Sequence, residues 1–410
     1  MAAGPVSPEL RAATISGARW TGLARLAREI VAFGATVVLA RLLAPAEFGY
    51  AAIALVVVAL TAILGTAGCT AALVQRQELT DRLVGAAVVL CAVVASVLML
   101  ATIAAAWLLV RPIFGDRTAD LVLLAAPAWL LMAVGSPSQA LLQRRLRFRA
   151  LAIVDSLAAV SSALAAVALA VAGAGGAALV VGGLVLVGTT GLLALGAERP
   201  ASIRADRAAM RDTVGFVTPL ALSSLVYLGY RNIDYVIVGA RSTSTQLGFY
   251  WRAFQLGVVY QSKISNIMQR VSFPVFARAT TEPELRALHA RIVRTHATVL
   301  VPLLASFIAA APVLVPWLFG SAWEPAVRPA QIMAVAGMAE AIMAGIGPLM
   351  VALGRPGVLL RWNLAVLGIY AVMIYVLAPH GIQVVAIGVA TFGVFALVGD
   401  RIVRAALGPA

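Results

Sequence analysis

Twelve apolar runs, each close to or above the roughly twenty residues that an α-helix needs to cross a hydrocarbon core, limit what this chain can fold into. They fall near residues 23–40, 50–74, 83–110, 120–142, 150–171, 174–196, 213–239, 247–275, 292–319, 328–353, 357–378 and 381–399. With 62% hydrophobic and 12% charged residues over 410 positions, the chain reads as an all-α integral membrane protein of about 12 transmembrane helices. Only the Gly-rich stretch 172–176 separates the fifth run from the sixth. The first twenty residues are polar and basic, and the run that follows carries Arg25 and Arg28 in place of a clean apolar core, so no cleavable signal peptide is expected.

A formal net charge of +14 would suit a nucleic-acid partner if it were spread over a soluble surface, but its distribution argues for topology instead. With the N-terminus inside, one face receives the cluster Arg144, Arg145, Arg147 and Arg149, then Arg199, Arg204, Arg207 and Arg211, then Arg278, Arg286, Arg291 and Arg294. The other face receives only Arg41, Arg111, Arg117, Arg241 and Arg328. Loops rich in arginine stay in the cytoplasm, which puts both termini there, and the excess charge favours anionic membrane lipids rather than nucleic acid. Cys69 and Cys91 have no metal-ligand spacing and read as small buried apolar side chains. No metal or other cofactor is expected.

The chain resembles itself at an offset of about 200 residues. The segment ARLLAPAEFGYAAIA (40–54) matches GARSTSTQLGFYWRAFQ (239–255) through an Ala-Arg, a polar turn and an aligned glycine; VRPIFG (110–115) matches VPWLFG (315–320); SPSQALLQRR (136–145) matches GPLMVALGRP (347–356). Each half then carries six helices, an even number, so both halves enter the membrane in the same sense. The expected organisation is a six-helix bundle over 1–197, a basic cytoplasmic linker over 198–212, and a second parallel six-helix bundle over 213–410, around a central cavity.

Eight charged side chains concentrate in three of these apolar runs: Arg25, Arg28 and Glu29 in the first, and Arg231, Asp234, Arg252, Lys263 and Arg270 in the seventh and eighth. An ionised group at mid-membrane costs about 2.5–3.5 kcal/mol on insertion scales, so it faces a partner, water or cargo rather than lipid. In the eighth run Arg252, Gln255, Lys263, Asn266 and Arg270 share a stripe roughly 80° wide on an ideal helix. No acid of the same helix answers it, which points to a wall of a polar cavity for anionic cargo. In the seventh, Tyr227, Arg231 and Asp234 share an arc, and in the first Arg25 and Glu29 lie a turn apart with Arg28 beside them. These are either ion pairs within a helix or guanidinium clamps for phosphate oxygens held in place by the acids. Glu340 has no basic partner on its own helix, which makes it a coupling-ion candidate or a packing acid, with Glu29 and Asp234 as further charge-balancing carboxylates.

The ordered set ARLLAPAEFGYAAIA, LGTAGCTAALVQR, QALLQRRLRFRALAIVD, RNIDYVIVGARSTSTQLGFYWRAFQL, SFPVFAR and APVLVPWLFGSAWEPAVRPAQIMAVAG resembles the polysaccharide transporters, the oligosaccharide-lipid flippases of the multidrug/oligosaccharidyl-lipid/polysaccharide exporter superfamily. The resemblance implies a fold like that of the multidrug and toxic-compound exporters (MATE-like). It also implies transport rather than catalysis: undecaprenyl-pyrophosphate-linked oligosaccharide carried by alternating access to the outer leaflet of a bacterial inner membrane, with polysaccharide polymerase and chain-length machinery as further partners. A peptidoglycan-precursor flippase and a cation-coupled multidrug exporter are the neighbouring readings, the latter calling for acidic or aromatic cavity walls. A polytopic glycosyltransferase or polymerase would need paired acids at a membrane face, whereas Glu47, Asp116, Asp120 and Glu324 are scattered.

Overall fold

The computed structural model describes residues 26–65, 73–74, 79–204, 231–265, 282–343 and 356–406, together with positions 206, 210–211, 213–214, 218 and 229. Among the described residues every regular element is helical. In chain order these are α1 (26–42), α2 (Pro45–Gly65), α3 (Asp81–Ala105, continued to Phe114), α4 (Asp116–Ala125), α5 (Ala128–Arg144), α6 (Phe148–Val171), α7 (Gly176–Ala197), α8 (231–241), α9 (Ser244–Phe254, continued to 265), α10 (Glu282–Phe319), α11 (Val327–Met343), α12 (Pro356–Leu377) and α13 (Ile382–Ala406).

Six of the described helical stretches are long and apolar enough to span a bilayer: Pro45–Gly65, Asp81–Phe114, Asp116–Arg144, Phe148–Val171, Gly176–Ala197 and Ala287–Phe319. Their outward side chains confirm the solvent they were built for. Leu108, Leu164 and Val313 are 67–75% exposed, a pattern that suits lipid tails and not water. The chain is a multi-pass all-α membrane protein.

Helix ends follow local chemistry. Pro45 occupies the first turn of α2, where its missing N–H costs nothing, and Glu47 faces the positive end of the helix dipole. Thr80 and Thr243 cap α3 and α9 by accepting the backbone N–H of Leu83 and Gln246. Two repeat-related glycines stop helices in the same way: Gly115 at φ 83° and Gly320 at φ 99° take a backbone turn closed to residues with a Cβ, and each starts a new helical segment at the next residue. The third sequence match, 347–356, lies almost wholly outside the described residues.

The chain divides into two compact units, Met1–Leu43 with Ile53–Leu228, and Ala44–Ala52 with Gly229–Ala410. Lipid gives helices no hydrophobic reason to associate, so close approach falls to small residues. In the first unit Gly135 of α5 meets Gly191 of α7 backbone to backbone, and Gly182 of α7 rests on Ala166 of α6. In the second, Gly257 of α9 and Gly337 of α11 do the same. Cys91 corrects one sequence expectation: it is buried but disulfide-bonded, and the chain's other cysteine, Cys69, lies outside the described residues.

Candidate functional site

Three arrangements of polar groups lie inside the second unit. The first is built on Asp234, which α8 carries at 1% exposure. Its Oδ2 accepts the Tyr250 hydroxyl of α9 at 2.7 Å and, more distantly, the Tyr370 hydroxyl of α12 at 3.4 Å, while Oδ1 accepts the backbone N–H of Tyr235 at 3.0 Å. One carboxylate thus ties three helices together. Rings surround it edge to face: Tyr235 packs on Tyr250 at 5.9 Å and on Phe254 at 5.5 Å.

The second arrangement corrects the sequence expectation for Glu340. Arg231 of α8 donates through Nη1 to both oxygens of Glu340 on α11, at 3.1 and 3.2 Å, and through Nη2 to the Ser262 hydroxyl at 3.5 Å. Glu340 is therefore an ion-pair partner and not an unanswered acid. The basic group comes from another helix 109 residues away in sequence, which the search along its own helix could not reach. One nitrogen shared by two oxygens is a weaker fit than the two-nitrogen fork, and at 18% and 35% side-chain exposure the pair is partly screened. Within α8, Arg231 and Asp234 also interact electrostatically, three residues apart, beside this longer connection.

The third is Arg252, which the stripe placed on a cavity wall. Its side chain is wholly buried, with four aromatic rings around the guanidinium carbon: Phe319 at 4.6 Å, Trp323 at 4.7 Å, Phe48 at 4.9 Å and Trp251 at 5.3 Å. Nε, Nη1 and Nη2 have no hydrogen-bond partner among the described residues. Each desolvated ring face returns up to about 2 kcal/mol of cation–π attraction, enough to offset much of the several kcal/mol that burying a charge costs. The N–H donors are a separate matter. At about 1–3 kcal/mol for each unsatisfied group, they leave a residual penalty that the rings do not answer.

Between Arg252 and Lys263 the stripe is interrupted by the geometry of α9. α9 passes through a single π turn at Gln255–Val259, closed by the N–H of Tyr260 onto the Gln255 carbonyl. That turn holds one more residue than an α turn and shifts the described residues beyond it, 260–265, by roughly 100°. Arg252 and Lys263 lie on opposite sides of it. Gln255 opens the turn and is half-buried; Lys263 is half-buried with its ammonium 5.2 Å from the Tyr260 ring. Asn266 and Arg270 lie outside the described residues, as do Arg25 and Tyr227.

In the first unit Arg28 of α1 lies 3.4 Å from Glu29 and 3.9 Å from Asp155 of α6, all about one third exposed or more. At the α5 and α7 ends, Arg145 and Arg147 both pair with the buried Glu198, at 2.9 and 3.0 Å. Sequence reasoning missed the aromatic side chains that organise the second unit. Tyr250 and Trp251 follow the repeat glycine Gly248 by two and three residues and Phe48 is adjacent to Gly49, which was the available signal.

In sequence the chain is similar to the teichuronic acid biosynthesis protein TuaB of Bacillus subtilis (strain 168), 25% identical over 379 residues that cover 91% of this chain and 78% of that protein. It is also similar to the lipopolysaccharide biosynthesis protein WzxC of Escherichia coli (strain K12), 24% identical over 374 residues covering 86% and 73%. In fold it is similar to a solved structure of the lipid II flippase MurJ in an inward closed conformation, with a TM-score of 0.67 over 92% of this chain and 86% of that one. At 11% identity that is a likeness of fold alone. The family model described as polysaccharide biosynthesis protein matches residues 38–328, well over half of the sequence, and the chain belongs to that family.

Proposed function

We propose that this protein is a flippase that moves an oligosaccharide linked to undecaprenyl pyrophosphate from the cytoplasmic to the outer leaflet of a bacterial inner membrane, for assembly of a surface polysaccharide. The observation that carries the reading is the charge inside the second half's spans, where the sequence sets Arg231, Arg252, Lys263 and Arg270 against Asp234 and Glu340. Cations in excess at membrane depth suit a cargo whose head carries phosphate oxygens and disfavour a cationic drug. Membership of a polysaccharide biosynthesis family and the names of the relatives support the same cargo class.

In this reading Arg28, Arg231, Gln255 and Lys263, with Arg25, Tyr227, Asn266 and Arg270, bind the head group. Arg252 belongs with them under the condition argued below. Glu29, Asp234 and Glu340 balance charge or couple an ion. The termini face the cytoplasm, and the products pass to polymerase and chain-length machinery on the far side. The test is flipping of a fluorescent undecaprenyl-pyrophosphate oligosaccharide in vesicles holding the purified protein, scored by access of an external quencher. Protein-dependent flipping that fails for Lys263→Glu is expected. Vesicles that leave this lipid in place but move a cationic dye would replace the reading with drug export.

A further inference from the structure

Arg252 is the one wholly buried guanidinium among the described residues, and the mechanism so far gives it no work. Its cage stands where α2 and α9 begin and α10 ends. There α2 and α9 cross in a reciprocal contact. A Cβ on Gly49 would run into the Ser244 carbonyl, and a Cβ on Gly248 would run into the Pro45 carbonyl. Pro45 lies four residues before Gly49, and Ser244 four before Gly248, so exchanging the two helices maps the contact onto itself. The sequence repeat thus meets its own copy.

Between the two glycines the contact is backbone on backbone, and Phe48 is the α2 side chain that packs across it onto Trp251. The cage is tied to it. Phe48 is adjacent to Gly49, and its ring lies 5.7 Å from Trp251 and 5.0 Å from Trp323; Arg252 itself follows Gly248 by one turn. When the start of α2 leaves α9, the Phe48 wall leaves with it. What remains is a guanidinium with three nitrogen atoms lacking acceptors. Phosphate oxygens are the acceptors its planar fork fits best.

We propose that Arg252 is a cargo ligand held in reserve: caged while α2 and α9 are crossed at Gly49 and Gly248, and delivered to the diphosphate of the lipid-linked cargo when that crossing opens. The proposal rests on the flippase reading and adds when, not only where, a cation meets the cargo. Sequestration explains both the missing hydrogen bonds and the aromatic walls, since π faces stabilise a cation without competing for its donors.

The experiment measures binding of undecaprenyl diphosphate to the purified protein in detergent by thermophoresis, with undecaprenol as the uncharged control. Two variants open the cage by different routes: Phe48→Ala removes a wall, and Gly248→Ala forces the backbones apart. Size-exclusion profiles identify which of them fold. Either opened variant should bind undecaprenyl diphosphate more tightly than the unaltered chain. Adding Arg252→Met should cost about tenfold or more in affinity in the opened variant, as loss of charged hydrogen bonds does, and several-fold less in the unaltered chain. Equal costs in both would show a ligand that is always available and overturn the reserve. No cost in either, with lower unfolding temperatures, would make Arg252 a packing cation and overturn its role as ligand. Absence of undecaprenyl diphosphate binding in every form would instead remove the flippase reading itself.

Discussion

Tyr250→Phe tests the Asp234 network with the smallest possible change, one oxygen atom. The ring stays, with its packing on Tyr235 at 5.9 Å and on Phe254 at 6.2 Å, so the loss is confined to the hydrogen bond. That bond is short, 2.7 Å, buried, and made to a carboxylate. Bonds to charged groups contribute about 1.5–3 kcal/mol, so Tyr250→Phe should lower the unfolding free energy by about 2 kcal/mol. Tyr370→Phe removes a donor to the same oxygen at 3.4 Å, beyond the usual range for O–H···O, and should cost under about 1 kcal/mol. Unfolding by sodium dodecyl sulfate titration in mixed micelles gives both values on one scale. In an Asp234→Asn background the Tyr250 effect should fall to about half, because an amide oxygen is the weaker acceptor. A larger loss for Tyr370→Phe, or the same Tyr250 effect with Asn at 234, would refute the geometry as described.

The Arg231–Glu340 pair should show coupling: Arg231→Met and Glu340→Gln together should cost about 1 kcal/mol less than the sum of the two alone, a small figure because both side chains are partly exposed, and strict additivity in the same titration would count against the pair. Gly135→Ala should destabilise the first unit by about 2 kcal/mol or more, since the added methyl lands on Gly191, whereas Gly196→Ala meets open space and should be neutral. Equal effects would contradict the packing. Cysteines placed at 201–203 should be labelled only after the membrane is permeabilised from the cytoplasmic side, and cysteines at Ser321 or His380 from outside; the reverse pattern would invert the orientation and the direction of transport. In vesicles under an imposed pH gradient, Asp234→Asn should flatten the response of flipping while Glu340→Gln retains it, and the opposite result would return coupling to Glu340.

Much of the architecture was legible because lipid allows few solutions. An apolar run of the right length becomes a helix whatever its detailed order, and the described spans fall on the runs read from hydropathy, as Gly176–Ala197 does on 174–196. The repeat was legible for a related reason. Gly115 and Gly320 sit at points where the backbone requires a residue without a Cβ, and such points leave a mark in the sequence that ordinary lipid-facing positions do not. Gly49 and Gly248 were visible as a match, but a match does not say that the two copies touch each other.

The site was less legible, because each misreading came from treating a helix as a regular object with neighbours only on itself. Arg231 and Asp234 are three residues apart and opposite in charge, which suffices for a pair on paper. The fold gives each a partner from further away: a donor-only guanidinium goes to Glu340, and Asp234 goes to hydroxyls. The difference bears on coupling. Guanidinium can only donate, so its partner must remain an acceptor, whereas a tyrosine hydroxyl can donate to a carboxylate or accept from a carboxylic acid. The tyrosine hydroxyls at Asp234 can meet either protonation state by turning, which is the reason the pH-gradient prediction is set on Asp234 and not on Glu340. The π turn at Gln255 made the other misreading. By rotating one half of α9 against the other it takes Arg252 out of line with Lys263, into a cage built from residues as distant as Phe48 and Trp323. A stripe drawn at constant pitch has no means of showing that rotation, and aromatic residues scattered over 275 positions of sequence do not look like one structure until the crossing of α2 and α9 brings them together.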